Sequence, residues 1–194
     1  TSHILKPLIE DIKDSVHNEY FCLALAKLMN IETPEAEIYW LGDVPYFLVK
    51  RYDRKIVSGK GITRLHQEDF CQALGVLPEL KYEREGGPSI ASSLELLQKH
   101  SLRPAVDRIA FIQRVIFNFL IRNADAHGKN YSLLYTDRLP ILASAYDLLC
   151  TAIYPNLSNK MAMRIGGKYD SNTVFLRHWH QLIPDTTAAK KALN

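Results

Sequence analysis

Apolar positions alternate in strand-like fashion before Arg64 and recur at helical spacing after it, with one helix set among the early strands. Ser2 to Leu8 carries Ile4 and Leu5 ahead of Lys6-Pro7, and proline, which has no amide to give a ladder, ends that strand. A helix follows: His17-Asn18 can cap it, Glu19 sits near its N-terminus where the macrodipole favours a carboxylate, and Tyr20 to Met29 is apolar almost all round. Such a helix is expected to be buried. Ala36 to Leu41 and Pro45 to Val49 flank Gly42-Asp43, the pattern of a hairpin, and the second run leads into Lys50-Arg51-Tyr52-Asp53-Arg54.

Beyond Arg64 the pattern predicts a helix over Gln67 to Leu74, stopped by Gly75, and another over Ser89 to His100 after Gly86-Gly87-Pro88. Gln67-Glu68-Asp69 is read as a solvated cap of the first. The clearest helix is Val106 to Arg122, where Ile109, Ile112, Val115, Ile116, Phe119 and Leu120 form an apolar stripe expected to be core. It delivers the chain into Asn123-Ala124-Asp125-Ala126-His127-Gly128-Lys129-Asn130. Tyr131 to Tyr135 and Leu139 to Ala143 then predict a hairpin about Thr136-Asp137-Arg138, leading to Tyr146-Asp147.

Composition narrows the classes. With 194 residues and 47% hydrophobic content the chain has enough material for a core, in one domain or two unequal lobes, so disorder is not expected. A net charge of +3 from 24 basic and 21 acidic residues, scattered along the chain, argues against direct nucleic-acid binding. Cys22, Cys71 and Cys150 are odd in number and set in apolar surroundings, as buried thiols in a reducing cytoplasm are, and they fit neither a disulfide framework nor a zinc site. There is no secretory leader pattern and no run of roughly eighteen apolar residues, so no membrane association is expected. The sequence opens at Thr1 inside an apparent strand, which suggests a longer parent chain.

The order of the polar residues suggests phosphoryl transfer. That chemistry needs a group to orient the attacking hydroxyl and cations to neutralise phosphates. In a protein kinase the parts run from a strand lysine to a helix glutamate, then a catalytic aspartate with an asparagine five residues on, a hairpin, and a second metal-binding aspartate. Here the matching residues are Lys6, Glu19, Asp125 with Asn130, the hairpin, and Asp147. Asp125 would face the acceptor hydroxyl, while Asn130 and Asp147 would share a hard, oxygen-seeking metal. His127 would donate to the γ-phosphate or buttress the loop. Each residue also has a plainer reading: Asp125 and Asn130 as a satisfied polar loop, Glu19 as a dipole partner, His127 as a structural hydrogen-bonder.

Several segments together resemble the HipA-like serine/threonine kinases of bacterial toxin-antitoxin systems. They are His3-Ile4-Leu5-Lys6-Pro7, Asn18-Glu19-Tyr20-Phe21, Arg51-Tyr52-Asp53-Arg54, Arg64 to Gly75, Lys81-Tyr82-Glu83 with Gly86-Gly87-Pro88, Asn123 to Asn130, Tyr146-Asp147-Leu148-Leu149, and Arg164-Ile165-Gly166-Gly167-Lys168. The resemblance implies an α+β, two-lobed protein-kinase-like fold. Residues 1–54 would be the remainder of the small mixed lobe and hinge, and 55–194 a mainly helical lobe. It further implies ATP and Mg as cofactors, Lys6 on the phosphates with Glu19 as its ion-pair partner, and Lys50 to Tyr52 as the hinge at adenine. Asp125 would be the catalytic aspartate, and Asn130 and Asp147 the metal ligands. Partners implied are a protein substrate such as an aminoacyl-tRNA synthetase and a DNA-binding antitoxin. The family's phosphate loop is expected upstream of Lys6, and Leu148-Leu149 stands where ordinary protein kinases have Phe-Gly. Two rivals remain: a small-molecule or lipid kinase, whose loop also resembles Asp125-x-His127-x-x-Asn130, and a catalytically silent binding module.

Overall fold

Residues Phe47 and Val49 point one way along their strand and bury, while Tyr46 and Leu48 between them stay half-open, and this alternation builds the first sheet. The computed structural model describes residues 1–57, 61–136 and 139–182. Strand β1 (His3–Lys6) is followed by helix α1 (Ser15–Leu28) and the hairpin β2 (Ala36–Leu41) and β3 (Val44–Lys50). The sheet order is β1-β3-β2, all antiparallel, with Lys6 opposite Phe47. Gly42 turns the expected hairpin at φ 60°, a backbone angle glycine adopts freely.

A second hairpin, β4 (Arg54–Val57) and β5 (Gly61–Arg64), links this sheet to the rest. Then come β6 (His66–Asp69), the short helix α2 (Phe70–Ala73), α3 (Ile90–His100) and α4 (Pro104–Leu120). Strands β7 (Ser132–Tyr135) and β8 (Pro140–Leu142) join β6 in a three-stranded antiparallel sheet ordered β6-β7-β8. The chain ends, as far as it is described, in the β9 (Lys160–Ile165) and β10 (Lys168–Asp170) hairpin and the short α5 (Leu176–Trp179). One core holds Phe70, Ile90, Leu97, Phe111, Leu133 and Ile165. The other packs α1 and β3 residues on Phe117, Ala145 and Leu148, so the two parts of the chain share buried surface. No described helix is long and apolar enough to cross a membrane.

Several expectations change. Helix α1 starts at Ser15, ahead of the expected cap, and it is not buried all round: Phe21 is 66% and Leu28 81% exposed. The β1–β3 sheet covers only the face bearing Cys22, Leu23 and Ala26. The expected helix over Gln67 to Leu74 is cut short: Gln67 to Asp69 belong with His66 to a strand that pairs with β7, and only Phe70–Ala73 is helix. Asp69 does cap that helix by accepting from the Gln72 amide, yet it is not solvated, since it also pairs with Lys129. The stripe on α4 is core only in part: Val115 is buried and Ile112 and Phe119 pack against the core, but Ile109 is 62% and Leu120 60% exposed, and the inward face also holds Asp107, Arg114 and Asn118. Apolar spacing alone could not mark those polar members of the face. Cys22 and Cys71 are buried, Cys150 only partly. Helix α3 begins where expected, with Ser89 capping the Ser92 amide. Of the turn at 136–138, Asp137 and Arg138 lie outside the described residues.

Candidate active site

The inward polar residues of α4 fix the loop that follows it. Asn118 donates to the Tyr131 hydroxyl, 3.2 Å, and its side-chain oxygen accepts from Asn123 Nδ2, 2.9 Å. Arg122 ends the helix in the left-handed region, φ 56°, and turns the chain sharply. Thr151 then ties the turn: its Oγ1 accepts from the Ala124 amide at 2.8 Å and donates to the Arg122 carbonyl at 2.9 Å. The Asp125 amide donates to Asn123 Oδ1, 3.1 Å, and the His127 amide to the Asp125 carbonyl, 2.8 Å. The loop is thus held by named bonds at each residue from 122 to 125, leaving the Asp125 side chain 44% exposed.

The hairpin β7–β8 brings Asp147 back to this loop. Asn130 Nδ2 donates to Asp147 Oδ2 at 2.6 Å, and Asn123 Nδ2 reaches the Asp147 carbonyl at 3.4 Å. Asp147 itself has φ 58°, a left-handed conformation that aspartate tolerates better than most residues. From the opposite side Lys6 Nζ pairs with Glu19 at 2.6 Å and with Asp147 Oδ1 at 3.3 Å. Four residues named from the sequence, Lys6, Glu19, Asn130 and Asp147, therefore form one continuous chain of contacts. Burial works against the Lys6 ammonium, but the Glu19 and Asp147 carboxylates outweigh it and raise its pKa above the ordinary value. Burial pushes the Glu19 carboxyl upward, and Lys6 pulls it back only in part.

Lys6, Glu19 and Asp147 open on a cleft of about 380 Å³, with Asn130 behind Asp147 and not among its lining residues. Ile4, Leu23, Phe47 and Val49 supply an apolar wall, and the facing side is strongly polar, with Asp69 and Lys129 besides Lys6, Glu19 and Asp147. Both the size and the pairing of an apolar wall with convergent charged groups suit a polar small-molecule ligand. Tyr52 lines the cleft and stacks on Tyr146, ring centroids 5.8 Å apart, with burial lifting its phenol to about 12. Lys50 also borders the cleft, but its ammonium pairs with Glu35 at 2.9 Å and its amide donates to the Glu35 carbonyl. The Arg51 amide is likewise engaged, with the Ser2 carbonyl.

Asp125 and His127 stand beside this cleft and are not among its lining residues. His127 is buried, its Nε2 3.9 Å from Asp125 Oδ1 and its Nδ1 without a partner among the described residues. Burial lowers its pKa below the ordinary value, favouring the neutral imidazole. Among the described residues no cluster of three or more histidine, cysteine or carboxylate groups surrounds a metal position. Magnesium does not need one, since it commonly takes one or two carboxylates with phosphates and waters. Asp147 fits that role directly. Asn130 points Nδ2 at Asp147 and accepts from the His127 amide through Oδ1, 3.0 Å, so its amide must turn before that oxygen can face a cation.

Sequence reasoning passed over three residues at the site. Lys129 lines the cleft and pairs with Asp69 at 3.0 Å, Tyr146 stacks on Tyr52, and the Tyr82 hydroxyl donates to Asp125. Lys129 lay inside the motif and could have been weighed as a cation for phosphates. Tyr82 is 43 residues from Asp125 and carries no local signal.

The fold and the cleft between its sheets define a two-lobed, kinase-like α+β protein. A family profile described as the HipA-like C-terminal domain matches residues 1–194, and the chain belongs to that family. It is 48% identical over 166 residues to the Sinorhizobium fredii protein named "Putative kinase Y4mE", covering 86% of this chain and 40% of that one. It is 31% identical over 186 residues to the serine/threonine-protein kinase toxin HipA of Shewanella oneidensis, covering 90% and 42%. A solved structure of Shewanella oneidensis HipA with HipB and operator DNA matches all of this chain and 47% of its own, with a TM-score of 0.90 and 28% identity. The Helicobacter pylori proinflammatory kinase CtkA shares the fold at a TM-score of 0.63 and 11% identity, over 98% of this chain and 82% of its own. The chain thus spans less than half the length of the HipA and Y4mE proteins it matches.

Proposed function

We propose that this chain is the nucleotide-binding and catalytic portion of a Mg-ATP-dependent serine/threonine protein kinase. The observation that carries the reading is the contact chain Glu19–Lys6–Asp147–Asn130, which joins the residues of a kinase site from four separate segments at one cleft. In this reading residues 1–54 are the rest of a small lobe with its hinge, and 55–194 the larger lobe. Lys6, held by Glu19, contacts phosphates; Lys50 to Tyr52 border the adenine; Asn130 and Asp147 hold magnesium. Bound Mg-ATP supplies the γ-phosphoryl group. Asp125 orients the acceptor hydroxyl and accepts its proton. His127, buried and held neutral, buttresses the loop.

The physiological setting is proposed on the family's behaviour: a cytoplasmic toxin that phosphorylates a translation component such as an aminoacyl-tRNA synthetase, restrained by a DNA-binding antitoxin. The HipB and operator DNA in the Shewanella oneidensis complex support the second partner.

The test uses the full-length natural protein. ATP with Mg at about 100 times its dissociation constant should stabilise it by about 2.7 kcal/mol in thermal unfolding. Asp125→Ala should keep that stabilisation while transfer of label from ATP to protein falls about 10³-fold. Undiminished transfer in Asp125→Ala would remove the assignment, and label on a sugar or lipid headgroup in place of protein would change the acceptor class.

A further inference from the structure

Resting on that kinase reading, we propose that Tyr82 is a positioning residue for the transfer: its hydroxyl holds Asp125 through Oδ1 and leaves Oδ2 to meet the acceptor. The Tyr82 hydroxyl donates to Asp125 Oδ1. A carboxylate has two oxygens and about four acceptor sites, so one oxygen can be fixed while the other works. Among the described residues no protein donor is bonded to Oδ2, on a side chain that is 44% exposed.

Tyr82 can hold Asp125 only if it is itself held, and its segment is clamped to the loop. The Gly128 amide donates to the Lys81 carbonyl at 3.2 Å. The Glu85 and Gly87 amides both donate to the Tyr82 carbonyl at 2.9 Å. Neighbouring Glu83 binds Arg164 through Nε and through its backbone amide, each at 2.7 Å. A Cβ on Gly128 would lie 2.6 Å from Pro88 and 2.9 Å from Cys71 Sγ, and one on Gly87 would lie 2.3 Å from the Leu80 carbonyl. The segment and the loop therefore touch where only glycine fits. The phenol ring sits edge-on to His127, 5.2 Å away at 85°, so the buried imidazole supports the ring that supports the carboxylate. Without the hydroxyl, Asp125 keeps only its bonded backbone and the imidazole 3.9 Å away. A small misplacement of a group that orients the acceptor is costly to the rate.

The experiment compares wild type, Tyr82→Phe, Asp125→Ala and the double variant in full-length protein. Phenylalanine keeps the ring on His127 and removes only the hydroxyl. Tyr82→Phe should lower kcat about tenfold, the size of one hydrogen bond to a charged group, with KM for ATP and Tm unchanged. In the Asp125→Ala background it should do nothing further. If wild type transfers phosphate, Asp125→Ala does not, and Tyr82→Phe runs at the wild-type rate, the positioning role alone is overturned. A faster Tyr82→Phe also overturns it, and would make the hydroxyl a competitor for the acceptor's place. If wild type transfers nothing, the kinase reading falls; if Asp125→Ala is as active as wild type, the assignment of Asp125 falls; either result takes this role with it.

Discussion

On the C-terminal side of the cleft, α4 turns Asp107, Arg114 and Asn118 inward, and each is bonded to the β7–β8 hairpin, its flanks or the loop beneath Asp125. Asp107 accepts from the Leu142 amide at 2.8 Å, the Ser101 hydroxyl at 2.5 Å and Arg103 Nε at 2.9 Å. Arg114 donates to the Ala143 carbonyl at 2.5 Å, and burial lowers its pKa, a cost accepted in order to place the strand end. On the N-terminal side the buried carboxylate, Asp53, is taken up by neighbouring Arg51 and Arg54 and does not reach Lys6 or Glu19. Lys6 and Glu19 reach the cleft from an edge strand and a helix whose other face is open, and the main polar tie to the larger part is Asn18. In the proposed reading, the carboxylate that orients the acceptor stands on the side with the buried polar ties, and the lysine that contacts phosphates stands on the side with fewer of them. A site that binds and releases a ligand across two lobes benefits from that asymmetry.

The comparison breaks most clearly at Asp107. Asp107→Ala leaves the Leu142 amide, the Ser101 hydroxyl and Arg103 without their acceptor in a fully buried position. The expected loss is about 3 kcal/mol, measured by urea unfolding at constant m. A loss under about 1 kcal/mol would mean that the buried polar face of α4 does not hold the hairpin.

A smaller effect is expected at the joint between the two sides. Asn18 Nδ2 donates to the Cys150 carbonyl and the Tyr154 hydroxyl, both at 2.9 Å, and Oδ1 accepts from the Cys150 amide at 2.9 Å. Asn18→Ala should cost about 2 kcal/mol, less than Asp107→Ala because Cys150 is only partly buried and water can replace some of the bonds. Amide exchange at Cys150 should speed up while exchange in α4 does not. Equal acceleration in both would show that the sides unfold as one unit.

The same contrast governs what could be read from the amino-acid order. The Gly42 hairpin, the start of α3 after Gly86-Gly87-Pro88 and the Asn123 to Asn130 loop were legible because their signals are local: turn chemistry, a breaker cluster, a motif with fixed spacing. The polar part of the buried face of α4, Asp107, Arg114 and Asn118, was missed because its signal is polar, and only the distant partners Leu142, Ala143 and Tyr131 explain why those residues turn inward. Residues 67–69 were misread for a related reason, since Gln-Glu-Asp joins a strand by pairing with β7 and not by its own propensity. At the candidate site, Lys6, Glu19, Asn130 and Asp147 were named from their order along the chain and lie in contact, while Tyr82, Lys129 and Tyr146 came from pairings that spacing does not encode.

Glu19 offers the finest test of the asymmetry. Glu19→Gln keeps the shape of the side chain and removes its charge, and burial already disfavours that charge. Stability should therefore change by less than about 1 kcal/mol, far below the Asp107 effect. Lys6 would be left with Asp147 as its ionic partner, so Mg-dependent ATP binding should weaken about tenfold as the ammonium occupies the carboxylate proposed for the metal. The pH dependence has a fixed sign. A carboxyl raised in the folded state binds its proton more readily there than in the unfolded chain, so wild type gains stability as pH falls from that raised value toward the ordinary 4.5, and loses it as pH rises. Glu19→Gln mimics the protonated carboxyl and lacks this pH dependence, so the two proteins should be closest in stability near the ordinary 4.5, and Glu19→Gln should become the more stable by a margin that grows as pH rises to the raised value and levels off above it. A wild type that instead becomes the more stable of the two as pH rises would mean that Lys6 keeps Glu19 ionised, and that the lysine is held on its own side of the cleft more firmly than the contrast between the two sides allows.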